Sequence, residues 1–148
     1  MPTRYRGTPV EVRALDAYIK LSRAADSLTT RIHRHLDASK LTISQFGVLE
    51  AVFHLGPLTQ RDLAQKLLKS GGNMTLVIDN LEKRGLVRRD RQQEDRRCIL
   101  VHLTKTGQAL IEKIFPDHVA AILAEMSILS ESEQEELSRL CRRLGRQE

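Results

Sequence analysis

A chain of 148 residues fits one compact domain burying roughly two-thirds of its unfolded surface, so a core can form without disulfide or metal staples. Its 24 Lys and Arg against 19 Asp and Glu leave a net charge of +5, which favours a polyanionic partner. No apolar run approaches the roughly 20 residues that cross a bilayer, the first residues lack the apolar stretch of a secretion signal, and Cys98 and Cys141 form no CxxC pair. A membrane partner, a zinc ribbon and a disulfide framework are therefore not expected; a cytoplasmic protein with reduced thiols is.

Residues 1–8, with Arg4 and Arg6, read as a flexible basic arm. Leu15, Leu21, Ala25, Leu28, Ile32 and Leu36 then share one helical face and predict a helix from about Glu11 to Leu36. Such a helix is roughly 40 Å long, the length of a small domain, so part of its stripe needs a partner outside its own globule, most simply a second copy. Thr42 opens a helix over Ile43–Leu55, carrying Phe46, Leu49, Val52 and Phe53 on its apolar face, and Gly56-Pro57 stops it. Thr59 is a good N-cap and Asp62 stands where a shortened capping box would answer it, giving a short helix Gln60–Leu68. Gly71 and Gly72 break the pattern before Met74, Val77, Ile78 and Leu81 mark an amphipathic helix ending at Gly85.

Leu86–Arg89 and Ile99–Leu103 read as two strands joined by the polar stretch Asp90–Arg97. Between Lys83 and Arg97 stand seven basic residues and three acidic ones, most of the net positive charge of the chain. A helix-turn-helix followed by a basic hairpin is a winged module. Thr104 and Gly107 close the hairpin, a helix Gln108–Phe115 is interrupted near Pro116 and resumes over Asp117–Leu129, and the Ser130/Glu133 capping box opens a last helix with Leu137, Leu140, Cys141 and Leu144 on one face. The fold expected is mainly α with a small β-hairpin wing: a winged helix-turn-helix over residues 39–104, flanked by an N-terminal dimerisation helix at 9–38 and C-terminal dimerisation helices at 105–148.

In a helix-turn-helix the second helix enters the major groove and reads base edges near its N-terminus. With Met74, Val77, Ile78 and Leu81 turned inward, Asn73, Thr75, Leu76, Asp79 and Asn80 lie on or near the outer surface. Asn pairs with adenine N6 and N7, and Thr bonds a base edge or sets its methyl against thymine. Ser70, Gly71 and Gly72 leave the first amides of this helix open to a phosphate. Arg88, Arg96 and Arg97 on the hairpin complete the DNA-contacting candidates.

Asp95, Arg96 and Arg97, followed by Val101, Leu103, Thr104 and Gly107, match the pattern D-x-R followed by V-x-L-T-x-x-G, and Leu81, Gly85, Leu86 and Val87 extend the match upstream. On these residues the chain resembles the MarR family of transcriptional regulators. The resemblance implies that Arg97 enters the minor groove, that Asp95 helps hold the wing tip, and that the first and last helices pair two chains. It also implies a homodimer on double-stranded DNA, at a pseudo-palindromic operator with half-sites about one helical turn apart, with repression the simpler mode and no cofactor. The family often has a basic residue at the positions of Leu76 and Asn80, so its base preference does not carry over. The stretch Ser70–Arg89 is similar to regulators of quinone or catechol resistance in the family, which implies a small aromatic effector, phenolic or quinone-like.

Other classes are less well supported. There is no GxxxxGK[ST], HExxH or GxSxG, so an enzyme is not expected. A metal-responsive regulator of the same fold could use His33 and His35, but residues two apart on a helix point about 200° apart and do not share one ion, and His54, His102 and His118 offer no pairing. A redox-responsive one could use Cys98, beside Arg96 and Arg97, or Cys141. The peroxide-sensing branch of the family keeps its thiol near the first helix, where this chain has none. A winged-helix protein-interaction module is disfavoured by the basic hairpin.

Overall fold

A computed structural model describes residues 3–67, 71–92, 94–95 and 98–146, with the side chains of residues 71 and 72 left out. The elements in chain order are α1 (Pro9–Ile32), a 3-10 segment (His33–Ser39), α2 (Ile43–Leu55), β1 (Leu58–Thr59), α3 (Gln60–Lys66), α4 (Gly71–Lys83), β2 (Val87–Arg91), β3 (Ile99–Leu103), α5 (Lys105–Met126) and α6 (Glu131–Gly145). The chain divides into two compact units, residues 35–118 and residues 1–34 with 119–148.

The first unit holds the core. Phe46, Val48, Leu49 and Val52 of α2, Leu63 of α3, Met74, Val77, Ile78 and Leu81 of α4, Leu86, Val87, Val101, and Ile111 and Ile114 of α5 are all buried together. Leu36, at the end of the α1 stripe predicted by periodicity, is in this core as well, because the chain leaves the α-helix at Ile32 and tightens into the 3-10 segment. That segment ends at Ser39, and Lys40 follows it in a left-handed conformation, φ 55°.

The three-stranded antiparallel sheet runs in the order β1-β3-β2. Strand β1, absent from the sequence prediction, pairs Leu58 with Val101 and Thr59 with Leu100; two residues carry no periodicity to detect. The hairpin pairs Val87 with Leu103 through to Arg91 with Ile99, so β2 runs two residues past the predicted Arg89. Gln92 N–H donating to the Cys98 carbonyl at 3.1 Å continues this pairing beyond the strands.

Helix α4 begins at Gly71, within the glycine pair that the pattern treats as a break. A helix's first-turn amides have no intrahelical acceptor, so glycine at that end costs less than in the interior. Its C-terminus is a Schellman motif: Gly85, φ +72°, donates to Glu82 O at 2.9 Å and Leu86 N–H donates to Leu81 O at 3.0 Å. Thr59 caps α3 by accepting the Asp62 N–H at 3.0 Å, and the helix ends at Lys66 with Leu67 as its C-cap; Leu68 lies outside the described residues.

Thr104 and Gly107 do more than close the hairpin. Thr104 Oγ1 accepts the Gly107 N–H at 3.0 Å and donates to Gly85 O at 2.6 Å, so it caps α5 and ties that helix to the end of α4. Helix α5 therefore starts at Lys105, ahead of the predicted Gln108, and runs unbroken through Pro116 to Met126. Proline removes one helix donor, but Ile111 and Ile114 before it and His118 after it are buried, and that burial outweighs the missing bond at the exposed Pro116.

The second unit is built differently. Thr8 and Glu11 form a reciprocal capping box, Glu11 N–H to Thr8 Oγ1 at 3.3 Å and Thr8 N–H to Glu11 Oε2 at 2.8 Å, with Pro9 next to the cap. This box starts α1 two residues ahead of the predicted Glu11. Thr3 N–H donates to Asp16 Oδ1 at 2.8 Å, tying the described part of the arm to α1. Arg31 pairs with Glu125 at 2.8 Å, and the Gln134 amide donates to the Met126 and Leu129 carbonyls, fixing the turn before the Ser130/Glu133 capping box of α6. None of the described residues of this unit is buried, while Val10, Tyr18, Leu21, Val119, Leu123, Ile128, Leu137, Leu140 and Leu144 are exposed.

Candidate nucleic-acid interface

The outer face of α4 displays Asn73, Thr75 and Leu76, all exposed, while Asn80 is half-buried; Gly72 lies in the first turn. This face exists because Met74, Val77, Ile78 and Leu81 draw the opposite side of the helix into the core. Ser70, Arg96 and Arg97 lie outside the described residues.

One arginine locks the parts of this surface together. Arg89 of β2 reaches Asp79 Oδ1 at 2.6 Å and Glu82 Oε1 at 3.2 Å with Nη1. Its Nε donates to Gln60 Oε1 at 2.7 Å and its Nη2 to the Thr75 carbonyl at 3.1 Å. The Arg89 backbone N–H adds a bond to Glu82 Oε2 at 3.1 Å, and the Gln60 amide donates to Thr75 Oγ1 at 3.4 Å. A planar guanidinium supplies several donors in fixed directions, which is what joining α3, α4 and β2 at one point requires. Sequence reasoning selected Arg88 for DNA and left Arg89 without a role.

Arg88 points the other way. Its guanidinium is about half exposed and donates to Asp90 Oδ2 at 2.7 Å, and His102, its cross-strand neighbour, lies 3.5 Å from the same carboxylate oxygen. This pair stands in solvent, so it contributes little to stability, and Arg88 keeps access to a phosphate. Asp95 is exposed in the hairpin loop, where its carbonyl accepts the Cys98 N–H at 3.0 Å and turns the chain back towards β3.

Replacing Arg89 with methionine keeps much of its packing and removes every charge-assisted bond. Two carboxylates are left near each other with no cation between them. Asp79 and Glu82 are both 43% exposed, so the expected loss is taken low, about 2 kcal/mol, or about 5 °C in Tm for a chain of this size. A thermal melt of Arg89→Met checks this, and an unchanged Tm contradicts the locking role.

The histidines and cysteines were the other sequence candidates. His33 and His35 do not converge: His33 Nδ1–H donates to the Thr29 carbonyl at 2.7 Å, while His35 Nε2 shares a 2.9 Å hydrogen bond with His118 Nδ1. The His35–His118 pair lies against Phe46, with ring centroids 5.8 and 4.5 Å away, inside the winged unit. Its partners are 83 residues apart, and no local spacing announces it. Among the described residues no group of three or more His, Cys, Asp or Glu is arranged to hold a metal ion. Cys98 is half-buried at a recess of about 440 Å³ lined also by Thr59, Gln60, Arg61, Asp95 and Ile99, and Cys141 is exposed; both are free thiols.

Comparison with known proteins agrees with this architecture. The MarR family profile matches residues 41–99. The HTH-type transcriptional regulator MhqR of Bacillus subtilis is 35% identical over 133 residues, covering 90% of this chain and 92% of its own. Among solved structures, NadR in complex with 4-hydroxyphenylacetate superposes with a TM-score of 0.76 at 26% identity, over the whole of both chains. The Staphylococcus aureus MepR–DNA complex shares the fold with a TM-score of 0.77 at 24% identity, covering 87% of this chain and 96% of that one. A winged helix-turn-helix with this motif set and a full-length relative above 30% identity places the molecule: the chain belongs to the MarR family, and it is a DNA-binding transcriptional regulator, not an enzyme.

Proposed function

We propose that the protein is a homodimeric repressor that binds a pseudo-palindromic operator and is released by a small phenolic or quinone-like effector. The observation that carries the DNA-binding part is the exposed face of α4, held at a set orientation to the hairpin by Arg89. In this reading Asn73, Thr75, Leu76 and Asn80 meet base edges in the major groove. The amides of Ser70 and Gly72 and the Arg88 side chain meet phosphates, Arg96 and Arg97 serve the wing, and Asp95 steadies its tip. The segments 9–38 and 105–148 supply the dimer contacts around a DNA-binding module at 39–104. A bound dimer blocks polymerase without further parts. Support for the effector class is the resemblance of Ser70–Arg89 to the quinone and catechol branch, together with a structural relative holding the phenol 4-hydroxyphenylacetate.

The wing and the helix make separable contributions. An arginine in a narrow minor groove responds to electrostatic potential more than to base identity, whereas an asparagine on a base edge carries no net charge. Arg97→Ala is expected to weaken binding to all sequences and to flatten the log–log salt dependence by roughly one unit in each subunit. Asn73→Ala is expected to leave that slope in place and to relax preference at one position per half-site, at about 1 to 3 kcal/mol. Affinities over a salt series, for operator and scrambled DNA, separate the two, and an unchanged slope and affinity in Arg97→Ala would remove the wing from the interface.

Release by an effector is a coupling between two binding equilibria, and it is reciprocal. Calorimetry with phenols and quinones, with and without operator, should show ligand affinity reduced by the factor that the ligand takes from DNA affinity. Equal ligand affinities in the two titrations would exclude this mechanism.

A further inference from the structure

We propose that α4 reads A·T pairs through the 5-methyl group of thymine, with Leu76 as the side chain that meets it. This inference rests on the operator-binding reading above and names the class of base pair that reading requires. Leu76 is 59% exposed, while Met74, Val77, Ile78 and Leu81 of the same helix are buried. The core therefore does not use it, and its isobutyl group faces outward from the recognition surface. It stands three residues after Asn73 and four before Asn80, so one stripe of the helix carries an amide, an aliphatic group and a second amide. At 1.5 Å rise per residue, Asn73 and Leu76 are about 4.5 Å apart along the axis, a little more than one base-pair step, and face neighbouring pairs.

The charged side chains of α4 do not serve the alternatives. Guanine is read best by Arg or Lys on O6 and N7, and the one basic residue of this helix, Lys83, stands in its last turn, remote from the N-terminal half that enters the groove. Cytosine is read by a carboxylate on its N4 amino group, and Asp79, the carboxylate nearest the recognition stripe, is held by the Arg89 guanidinium at 2.6 Å. Thr75 bonds either base pair, and the residue types beside it on this face are amides, whose base partner is adenine N6 and N7, and an apolar group, whose partner is the thymine methyl. Both belong to A·T pairs.

Deoxyuridine in place of thymine removes that methyl and leaves Watson–Crick pairing intact. The full-length protein would be titrated by fluorescence anisotropy against its selected operator, and against duplexes with each thymine of a half-site replaced in turn. One position is expected to weaken binding about fourfold, and about fifteenfold when replaced in both half-sites, the value of one buried methyl group per site. Leu76→Ala is expected to bind the thymine and deoxyuridine duplexes equally, with wild-type Tm and salt slope, and Leu76→Lys to shift the selected base at that position towards guanine. A selected operator with no methyl-sensitive thymine, or full methyl sensitivity retained in Leu76→Ala, overturns the assignment of Leu76 and leaves the operator reading standing. Failure to select any operator overturns that reading, and the assignment with it.

Discussion

Deleting residues 130–148 is expected to convert the protein to monomer or aggregate and to abolish tight operator binding. The unit that contains α1 and α6 has no buried residue among those described, although both helices carry long apolar faces. Helices in water gain most of their stability from packing an apolar face, and a single copy leaves these faces uncovered. On α6, Leu137, Leu140 and Leu144 are 37%, 41% and 59% exposed. A twofold interface counts each of them twice. At roughly 1 kcal/mol for each half-exposed leucine, their loss removes about 6 kcal/mol, or about four orders of magnitude in dimer affinity. The DNA consequence is as large, because two linked half-site readers gain roughly 10²- to 10⁴-fold over separate ones. The core of residues 35–118 does not involve α6, so the truncated chain keeps the helical circular dichroism of that unit. Sedimentation and gel-shift measurements check both parts, and a soluble, fully dimeric truncation contradicts the account.

Gly107→Ala should destabilise the protein by about 3 to 5 kcal/mol despite adding a single methyl group. A Cβ at this position falls 1.9 Å from the Leu86 carbonyl oxygen and 2.9 Å from its carbon, both backbone atoms with no rotamer to give way. That carbonyl cannot simply move, because it accepts the Thr104 N–H at 3.1 Å beside the capping contact that starts α5. Relief demands a shift of more than an ångström between α5 and the end of α4, in a core packed to near-crystalline density. At roughly 2 to 4 °C for each kcal/mol the Tm falls by about 10 °C, and a melt within 2 °C of the parent would contradict this packing. Gly107 closes the V-x-L-T-x-x-G pattern, and the geometry explains why glycine stands there after a threonine that must face both Gly85 O and the Gly107 N–H.

What could be read from the sequence was what short-range physics dictates. Alternation between buried and exposed positions marked α2, α4 and both hairpin strands, because each buries one face against a single core. The Ser130/Glu133 box announced α6, and the equivalent Thr8/Glu11 box before Pro9 carried the same signal for the start of α1, where the stripe alone gave too late a start. Pro116 misled, since the cost of one missing helix bond is local while the burial that outweighs it is supplied by distant residues. Arg89 was recoverable in part: period two puts it on the same face as buried Val87, and Asp79 and Glu82 sit one helical turn apart on α4. Which arginine turns towards them depends on how β2 lies beside α4, and that is tertiary. The His35–His118 bond depends on the meeting of two segments 83 residues apart and has no local trace.

Selection from a pool of randomised duplexes with the full-length protein shows whether it reads a symmetric DNA site. The expected result is enrichment of a pseudo-palindrome whose half-sites lie about one helical turn apart, 10 to 10.5 base pairs centre to centre, with A·T pairs opposite the N-terminal half of α4. No enrichment over the starting pool, or a lone half-site with no symmetric mate, would contradict it.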